Sequence, residues 1–482
     1  METTDRISEL PDGLIHHIFS FLDITDVLQT CTLSRRWRYL WLSLPTIKID
    51  DFNIWDEDDD FVSFNRFINF VDRLLLLRDS ISEIQTFKLV WGNVTVYLHG
   101  LALQYDVSSR LASWIMAAVK HNLQELITYI FVDQTIKLPG SLFSCKSLTK
   151  LEFSGGGRYL TDLVLPNITV YSFPRLRYLA LMRVSLLGDE SLTSKLFSSC
   201  PVLESLQLID CSIKFNFSSL SLKHFESDNC TEWSTDDYAV TVKLCAPNLT
   251  SLICKDYMSQ DYSLDNLSSL VTANIGMRVK NTDQDPTPEM PKIYSELATD
   301  VKKLYGARMV KFLRVVRNVT DLTLSSSPGF LEVVSESPDL LAGDPYFQFC
   351  NLRFLKAVTW VSRNCMNSIA YLVKISPNIE SIFLTIQPTK SKTNSTGGDW
   401  IVGSSFPCMH YLKFVQIQGI QGCLNELKFL QVLLEKAIVL EKVTLFCYKT
   451  KSPKRAAQLM EFEEMLLAYP SASSRVSISI QS

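Results

Sequence analysis

The chain has 482 residues, with 47 Lys plus Arg against 51 Asp plus Glu and a formal net charge of −4. That balance leaves no long basic face to neutralise a run of phosphates, so nucleic acid is not expected as the main partner. The length exceeds one small core, and one small unit followed by something large or repetitive is expected.

The opening "METTDRISELPD" lacks the charged-then-apolar layout of a secretory signal. No later stretch gives about 18 uninterrupted apolar residues. The expected setting is therefore intracellular, cytoplasm or nucleus, with no membrane partner.

Leu14, Ile15, Ile18, Phe19 and Leu22 recur at helical steps, which predicts a first helix with Asp12 as N-cap and Pro11 just before it. A second short helix is expected after Thr25, carrying Val27, Leu28 and Cys31. Ser34 is expected to cap a third, with Trp37, Leu40 and Trp41 on its apolar side. Three helices in about 35 residues cannot cover this much apolar surface, since units of that size seldom fold unaided. Part of the surface meets either the rest of the chain or a partner.

Leu10-Pro11-Asp12, then "IFSFL" and "LSRRWRYLW", closely resemble the F-box motif as found in plant proteins. One departure is Asp23, where the family often has proline; a loop tolerates both. The resemblance implies docking on the Skp-type adaptor of a cullin–RING ubiquitin ligase. By motif match the adaptor contact is assigned to Leu10, Pro11, Leu14, Ile15, Ile18, Leu22, Val27, Leu33 and Trp37. Several of these are also expected to be core, and sequence does not separate the two roles.

The acidic run "WDEDDD" at 55–60 reads as a solvated linker. Beyond it, "CPVLESLQLIDC" places Leu203, Leu206, Leu208 and Cys211 in the leucine-rich-repeat frame L-x-x-L-x-L-x-x-C. The frame returns at Leu148/Leu151/Phe153, Leu176/Leu179/Leu181, Leu249/Leu252, Val319/Leu322/Leu324, Leu352/Leu355, Ile379/Ile382/Leu384, Met409/Leu412/Phe414 and Leu440/Val443/Leu445. Fainter starts lie at Ile84/Phe87/Leu89, Leu123/Leu126 and Leu222/Phe225. Successive starts such as 148, 176 and 203 are about 27 residues apart. The expected fold class is α/β: a three-helix F-box, then a right-handed leucine-rich-repeat solenoid, or horseshoe. Each repeat supplies a strand, a loop and a helix, with parallel strands on the concave face.

Cys145, Cys200, Cys350 and Cys408 precede first apolar positions of repeats and Cys211 closes one, so they read as structural thiols. No Cys-x-x-Cys pair exists, which argues against a zinc ribbon or a redox motif. A loop is expected at 280–291, followed by an amphipathic helix carrying Ile293, Leu297, Val301 and Leu304. A second insert is expected at 387–405; each insert either crosses the concave face or varies without consequence. "SGGGRYL" at 154–160 reads as a flexible inter-repeat turn rather than an anion site.

The C-terminal "FPCMHYLKFVQIQGIQGCLNELKFLQVLLEKAIVLEKVTLF" resembles the FBD region that follows the repeats in many plant F-box/leucine-rich-repeat proteins. A helix is expected from Glu426 to Ala437, a strand after Val439, a helix near Glu461 to Tyr469 and a last strand in "RVSISI". The expected division is F-box 1–50, a linker leading into the solenoid 51–120, irregular repeats 121–400 and an FBD-like region 401–482.

No phosphate-loop, dinucleotide, H-E-x-x-H or G-x-S-x-G motif occurs, and no nucleophile–base set stands out. The expectation is a non-enzymatic subunit with no cofactor and no metal. Through the adaptor it joins cullin and RING subunits, while its repeats recruit an unknown protein substrate. Substrate contact is expected from strand residues alternating with the leucines. These are Ser205, Gln207 and Ile209; Tyr178, Ala180 and Met182; Phe354, Lys356 and Val358; and Tyr411, Lys413 and Val415. Two other readings remain: a co-receptor holding a hormone and an inositol phosphate, or an interaction scaffold unconnected with ubiquitin.

Overall fold

The computed structural model describes residues 9–51, 60–92, 106–132, 134–156, 160–187, 190–213, 215–229, 241–279, 293–294, 296–324, 329–335, 347–360, 363–387, 406–448 and 453–481. Two compact units divide the chain, Met1–Ala246 and Pro247–Ser482. The expected loop at 280–291 and the body of the insert, 388–405, lie outside the described residues, as does most of the acidic run.

In the first unit α1 (Asp12–Phe19), α2 (Ile24–Gln29) and α3 (Trp37–Leu40) precede β1 (Thr46–Asp50), α4 (Asp60–Leu77), β2 (Thr86–Trp91), α5 (Val107–Lys120) and β3 (Glu125–Ile130). Then come β4 (Ile136–Lys137), β5 (Lys150–Gly155), β6 (Thr161–Val164), β7 (Tyr178–Met182), β8 (Val184–Leu187) and α6 (Glu190–Ser198). The unit ends with β9 (Ser205–Ile209), β10 (Phe215–Ser218), β11 (His224–Asp228) and β12 (Thr241–Cys245). Strands β1, β2, β3, β5, β7, β9 and β11 pair in that order, all parallel and in unbroken register.

That register lines up Ile47, Phe87, Leu126, Leu151, Leu179, Leu206 and Phe225 in one row, and every member is buried. Period-two alternation then turns the intervening residues to the other face. The return segments between 134 and 245 differ from expectation. Instead of a helix in every repeat, β4, β6 and β8 form a second parallel sheet, and β10 pairs with β12. Leu163, Val184, Phe217 and Val242 are buried in these short strands, whose β-branched and aromatic content suits a pleated layer. Strands β1 and β2 also carry the parallel sheet into the stretch expected to be F-box end and linker. There Phe64, Phe67, Trp91 and Trp114 pack as one aromatic cluster with centroid distances of 4.9–6.0 Å. The Trp114 indole donates to Asp72 at 2.7 Å, so α4 and α5 are joined by a satisfied polar contact above that cluster.

Strand exits use left-handed backbone at Gly92 (φ 98°), Arg183 (φ 52°) and Asp210 (φ 50°). The "SGGG" stretch is not a free turn at its start: a Cβ on Gly155 would stand 2.4 Å from the Thr161 hydroxyl and 2.8 Å from the Arg183 carbonyl. Glycine is needed there for close approach of neighbouring repeats.

The second unit comprises β13 (Ser251–Tyr257), β14 (Asp261–Asp265), β15 (Thr272–Arg278), α7 (Thr299–Val315), β16 (Asp321–Leu324), α8 (Gly329–Ser335) and β17 (Phe354–Trp360). It continues with α9 (Arg363–Lys374), β18 (Ser381–Gln387), β19 (Phe414–Ile420), α10 (Leu424–Lys436), β20 (Lys442–Cys447), α11 (Pro453–Leu467) and β21 (Ser477–Gln481). Here β13 and β15 to β21 pair in sequence, again all parallel.

Three expectations need correction in this unit. Helix α7 starts at Thr299 and buries Met309, Val310, Phe312 and Leu313, whereas Leu304 is exposed. The denser apolar stripe lies further along than the one read from the sequence. Helix α11 starts at Pro453, eight residues before Glu461; proline suits a first helical position, where no amide partner is needed. In the repeat before α10 the strand frame is Leu412, Val415 and Ile417 rather than Met409, Leu412 and Phe414: Met409 is buried ahead of the strand, and Phe414 is exposed. The frame therefore slips by three residues, an odd number, which exchanges the two faces.

Helix α10 is closed by a capping arrangement: the buried Glu426 carboxylate accepts from the Cys423 amide at 2.9 Å and the Gln421 amide at 3.1 Å. Cys145, Cys200 and Cys211 are buried and their thiols donate to the carbonyls of Leu123, Leu196 and Leu181. Burial pushes Cys200 and Cys211 up to about 12. Cys350 and Cys408 are exposed, contrary to the structural reading of all five.

Two outcomes follow. Alkylation of the native protein, read by mass spectrometry, labels Cys350 and Cys408 while Cys145, Cys200 and Cys211 stay protected until unfolding. Gly419 sits in a bulge of β19 at φ 82°, where a Cβ would stand 2.2 Å from the Ile386 carbonyl. Gly419→Ala therefore lowers stability by about 1–3 kcal/mol in a denaturant titration; an unchanged midpoint refutes the strained bulge.

Candidate functional site

Two surfaces qualify as sites, the outside of the N-terminal helices and the free face of the strands. Pro11 provides the extended residue before α1, so Asp12 is already helical and does not cap it. Its carboxylate instead pairs with Arg36, tying α1 to the segment ahead of α3. Helix α2 begins at Ile24, behind Asp23 in extended conformation. The Ser34 hydroxyl accepts the Trp37 amide at 3.3 Å, as the capping expectation required.

Ile15, Phe19, Ile24, Val27, Trp37 and Leu40 form the inside of this unit, with Phe19 and Trp37 edge-on at 5.3 Å. Three residues assigned to the adaptor, Ile15, Val27 and Trp37, are thus buried within the unit and have no free surface for a partner. Leu10 and Leu22 are half-buried and Pro11 is exposed. Leu14, Ile18 and Leu33 remain outside, and so do Phe21 and Tyr39, which the motif reading missed; these five are 42–73% exposed. Spacing would have found Phe21, since Leu14, Ile18 and Phe21 follow at steps of four and three. Of the two adjacent histidines, His16 turns inward, its Nε2 3.1 Å from the Leu40 carbonyl. His17 is exposed and packs edge-on against Phe21 at 5.1 Å.

The same unit rests on the strands behind it. Lys48 of β1 donates to the Ser20 carbonyl at 2.5 Å, and Leu28 and Trp41 line a cleft of about 450 Å³ with Phe70, Leu74 and Leu77 of α4. Docking on the rest of the chain therefore uses one side of the unit and leaves the five exposed apolar residues on others.

On the first unit's free strand face, register brings Lys150, Tyr178 and Ser205 into one row and Glu152, Ala180 and Gln207 into the next. Their side chains satisfy one another. The Tyr129 hydroxyl donates to Glu152, Lys150 pairs with Glu152 at 3.2 Å, and the Lys150 ammonium lies 4.9 Å from the centre of the Tyr178 ring. Tyr178 donates to Gln207, whose amide donates to Glu226 at 3.0 Å. Burial, with Glu152 alongside, pushes Tyr129 up to about 12, so its phenol stays a donor. Gln207, Tyr178, Met182 and Ile209 are half-buried on this face, while Ala180 is fully covered.

On the second unit's free face, Phe354 stacks on Phe383 with centroids 4.8 Å apart, and Lys356 is exposed beside them. Tyr411 and Lys413 are exposed but precede β19, so they are not strand-face residues, and Val415 is buried. The three-residue slip puts Phe414, Gln416 and Gln418 on the face in their place. No group of three or more His, Cys, Asp or Glu residues suited to a metal occurs among the described residues.

Comparison with known proteins matches the family models described as "F-box domain" over residues 7–48, "FBD-associated F-box protein At5g56370, LRR repeats" over 111–273 and "FBD" over 404–445. Among relatives from Arabidopsis thaliana, FBD-associated F-box protein At1g66310 is 26% identical over 468 residues, 95% of this chain and 93% of that one. F-box/LRR-repeat protein At4g14103 is 27% identical over 387 residues, 78% and 91% of the two chains. F-box/LRR-repeat protein At3g59200 is 29% identical over 384 residues, 79% and 69% of the two. With F-box helices ahead of parallel strand ladders whose buried rows keep the repeat frame, the chain is a plant F-box/leucine-rich-repeat protein with a C-terminal FBD.

Proposed function

We propose that this protein is the substrate-recognition subunit of an SCF-type cullin–RING ubiquitin ligase, acting in cytoplasm or nucleus. The supporting observation is the exposed set Leu14, Ile18, Phe21, Leu33 and Tyr39, large apolar residues left outside a unit whose own core is closed. This set binds the Skp-type adaptor, through which cullin and RING subunits join. The proposed adaptor surface keeps Pro11, Leu14, Ile18 and Leu33 of the motif, with Leu10 and Leu22 at its margin, and gains Phe21 and Tyr39.

The free strand faces then hold a protein substrate, with Tyr178, Met182, Gln207, Ile209, Phe354 and Lys356 among the contacting residues. Held beside a ubiquitin-charged enzyme, the substrate's lysines react at high effective concentration. The chain contributes position and the reacting groups belong to other subunits.

Leu14→Asp with Ile18→Asp places charge on the proposed contact without entering the core. The variant keeps its melting temperature and loses adaptor co-purification by at least about tenfold. Ile15→Ala, by contrast, loses about 2–5 kcal/mol of local stability through a cavity. Undiminished co-purification of the double variant overturns the assigned adaptor surface, and failure of the parent chain to co-purify sinks the ligase reading and favours a scaffold whose N-terminal helices merely end the sheet.

A further inference from the structure

The two free faces use their charges differently. In the first unit Glu152 is taken by Tyr129 and Lys150, and Glu226 by Gln207, so few polar groups are left for a ligand. From β17 to β21 the two neighbouring outward rows contain Phe354, Phe414 and Lys442 in one and Lys356 and Phe383 in the other. Over these five strands neither row holds a carboxylate; the first meets one only beyond β17, at Asp321 of β16 beside Phe354. Lys356 and Lys442 are exposed, and no ion pair engages either among the described residues. Glu380, at the start of β18, is already bound by Arg353 at 3.1 Å.

These residues also follow a path. Lys356, Phe383, Phe414 and Lys442 stand on four consecutive strands, moving one register row between Phe383 and Phe414. Phe414 is 42% exposed and Phe383 half-buried, so the middle of the path is apolar and open, and its ends are cationic. With strands about 4.8 Å apart and residues about 3.3 Å apart, the two ammonium groups start from positions about 16 Å apart. An extended chain covers that in about five residues.

We propose that this path receives an extended, acidic segment of the protein substrate, with two carboxylates about four or five residues apart and apolar side chains between them. The inference rests on the reading of the strand faces as substrate-holding. Each carboxylate meets an unspent ammonium, and the intervening apolar groups cover Phe383 and Phe414. Charge complementarity sets the choice, since a basic segment meets repulsion at both ends and no acid between them.

The test is a selection of displayed random peptides on the full-length chain co-purified with a Skp-type adaptor. The expected result is enrichment of peptides carrying Asp or Glu at that spacing around apolar residues, weakening as salt rises. Lys356→Glu with Lys442→Glu should reduce their binding at least about tenfold, and Phe414→Ala should also weaken it. Lys243→Glu, on an exposed position of outer strand β12, should leave it unchanged. An unchanged melting curve of the double-lysine variant shows that it is folded, and retained adaptor binding shows that the adaptor surface is separate. Recovery of only basic or uncharged peptides, recovery of none, or acidic peptides held equally well by the double-lysine variant overturns the proposal. Loss of adaptor binding by the parent chain, with acidic peptides still selected, overturns the ligase reading alone.

Discussion

The structure depends on one constraint, that parallel strands paired in register place equivalent residues side by side. Successive members of the row Ile47, Phe87, Leu126, Leu151, Leu179, Leu206 and Phe225 are 19 to 40 residues apart in the chain, yet they stand side by side. Leu252, Ala273, Leu322, Leu355, Ile382, Val415 and Val443 do the same in the second unit. A buried aliphatic or aromatic side chain contributes on the order of 1.5–3 kcal/mol, and a slip of one residue would forfeit the whole row. The register is therefore held wherever a row is buried, and the opposite face is left available.

What happens between strands is far less constrained. The return segments are helices in some repeats and short strands in others, because either supplies an apolar layer against the same row. Their residue count also varies, since lengthening a surface connection costs little free energy. This tolerance explains why repeats with a strict strand frame have irregular spacing, and why the residues near Tyr411 fit two frames: Met409, Leu412 and Phe414 match the pattern as letters, but strand register selects Leu412, Val415 and Ile417 and leaves Phe414 exposed. Apolar letters three residues apart occur in two overlapping frames, and only packing distinguishes them.

Charge is distributed differently on the two faces. Lys150 has a carboxylate within reach and is spent on it, whereas Lys356 and Lys442 have none beside them on the strands they pair with, the row of Lys442 reaching an acid only at Asp321, four strands away. The N-terminal unit shows a parallel division of apolar residues. Ile15 and Leu14 are adjacent, but one helical step of about 100° sends the first into the core and the second to solvent.

Read by itself, the chain determined the three-helix start, the repeat frame at most of its positions and the alternation that divides strand residues between two faces. These rest on local spacing, and spacing is a property of sequence. Tertiary structure alone decided which of nine motif residues have free surface, that β4, β6 and β8 replace helices, where α7 begins and which frame β19 follows. Each of those outcomes is a competition between apolar segments for one buried site, and the winner depends on neighbours that are distant in the chain.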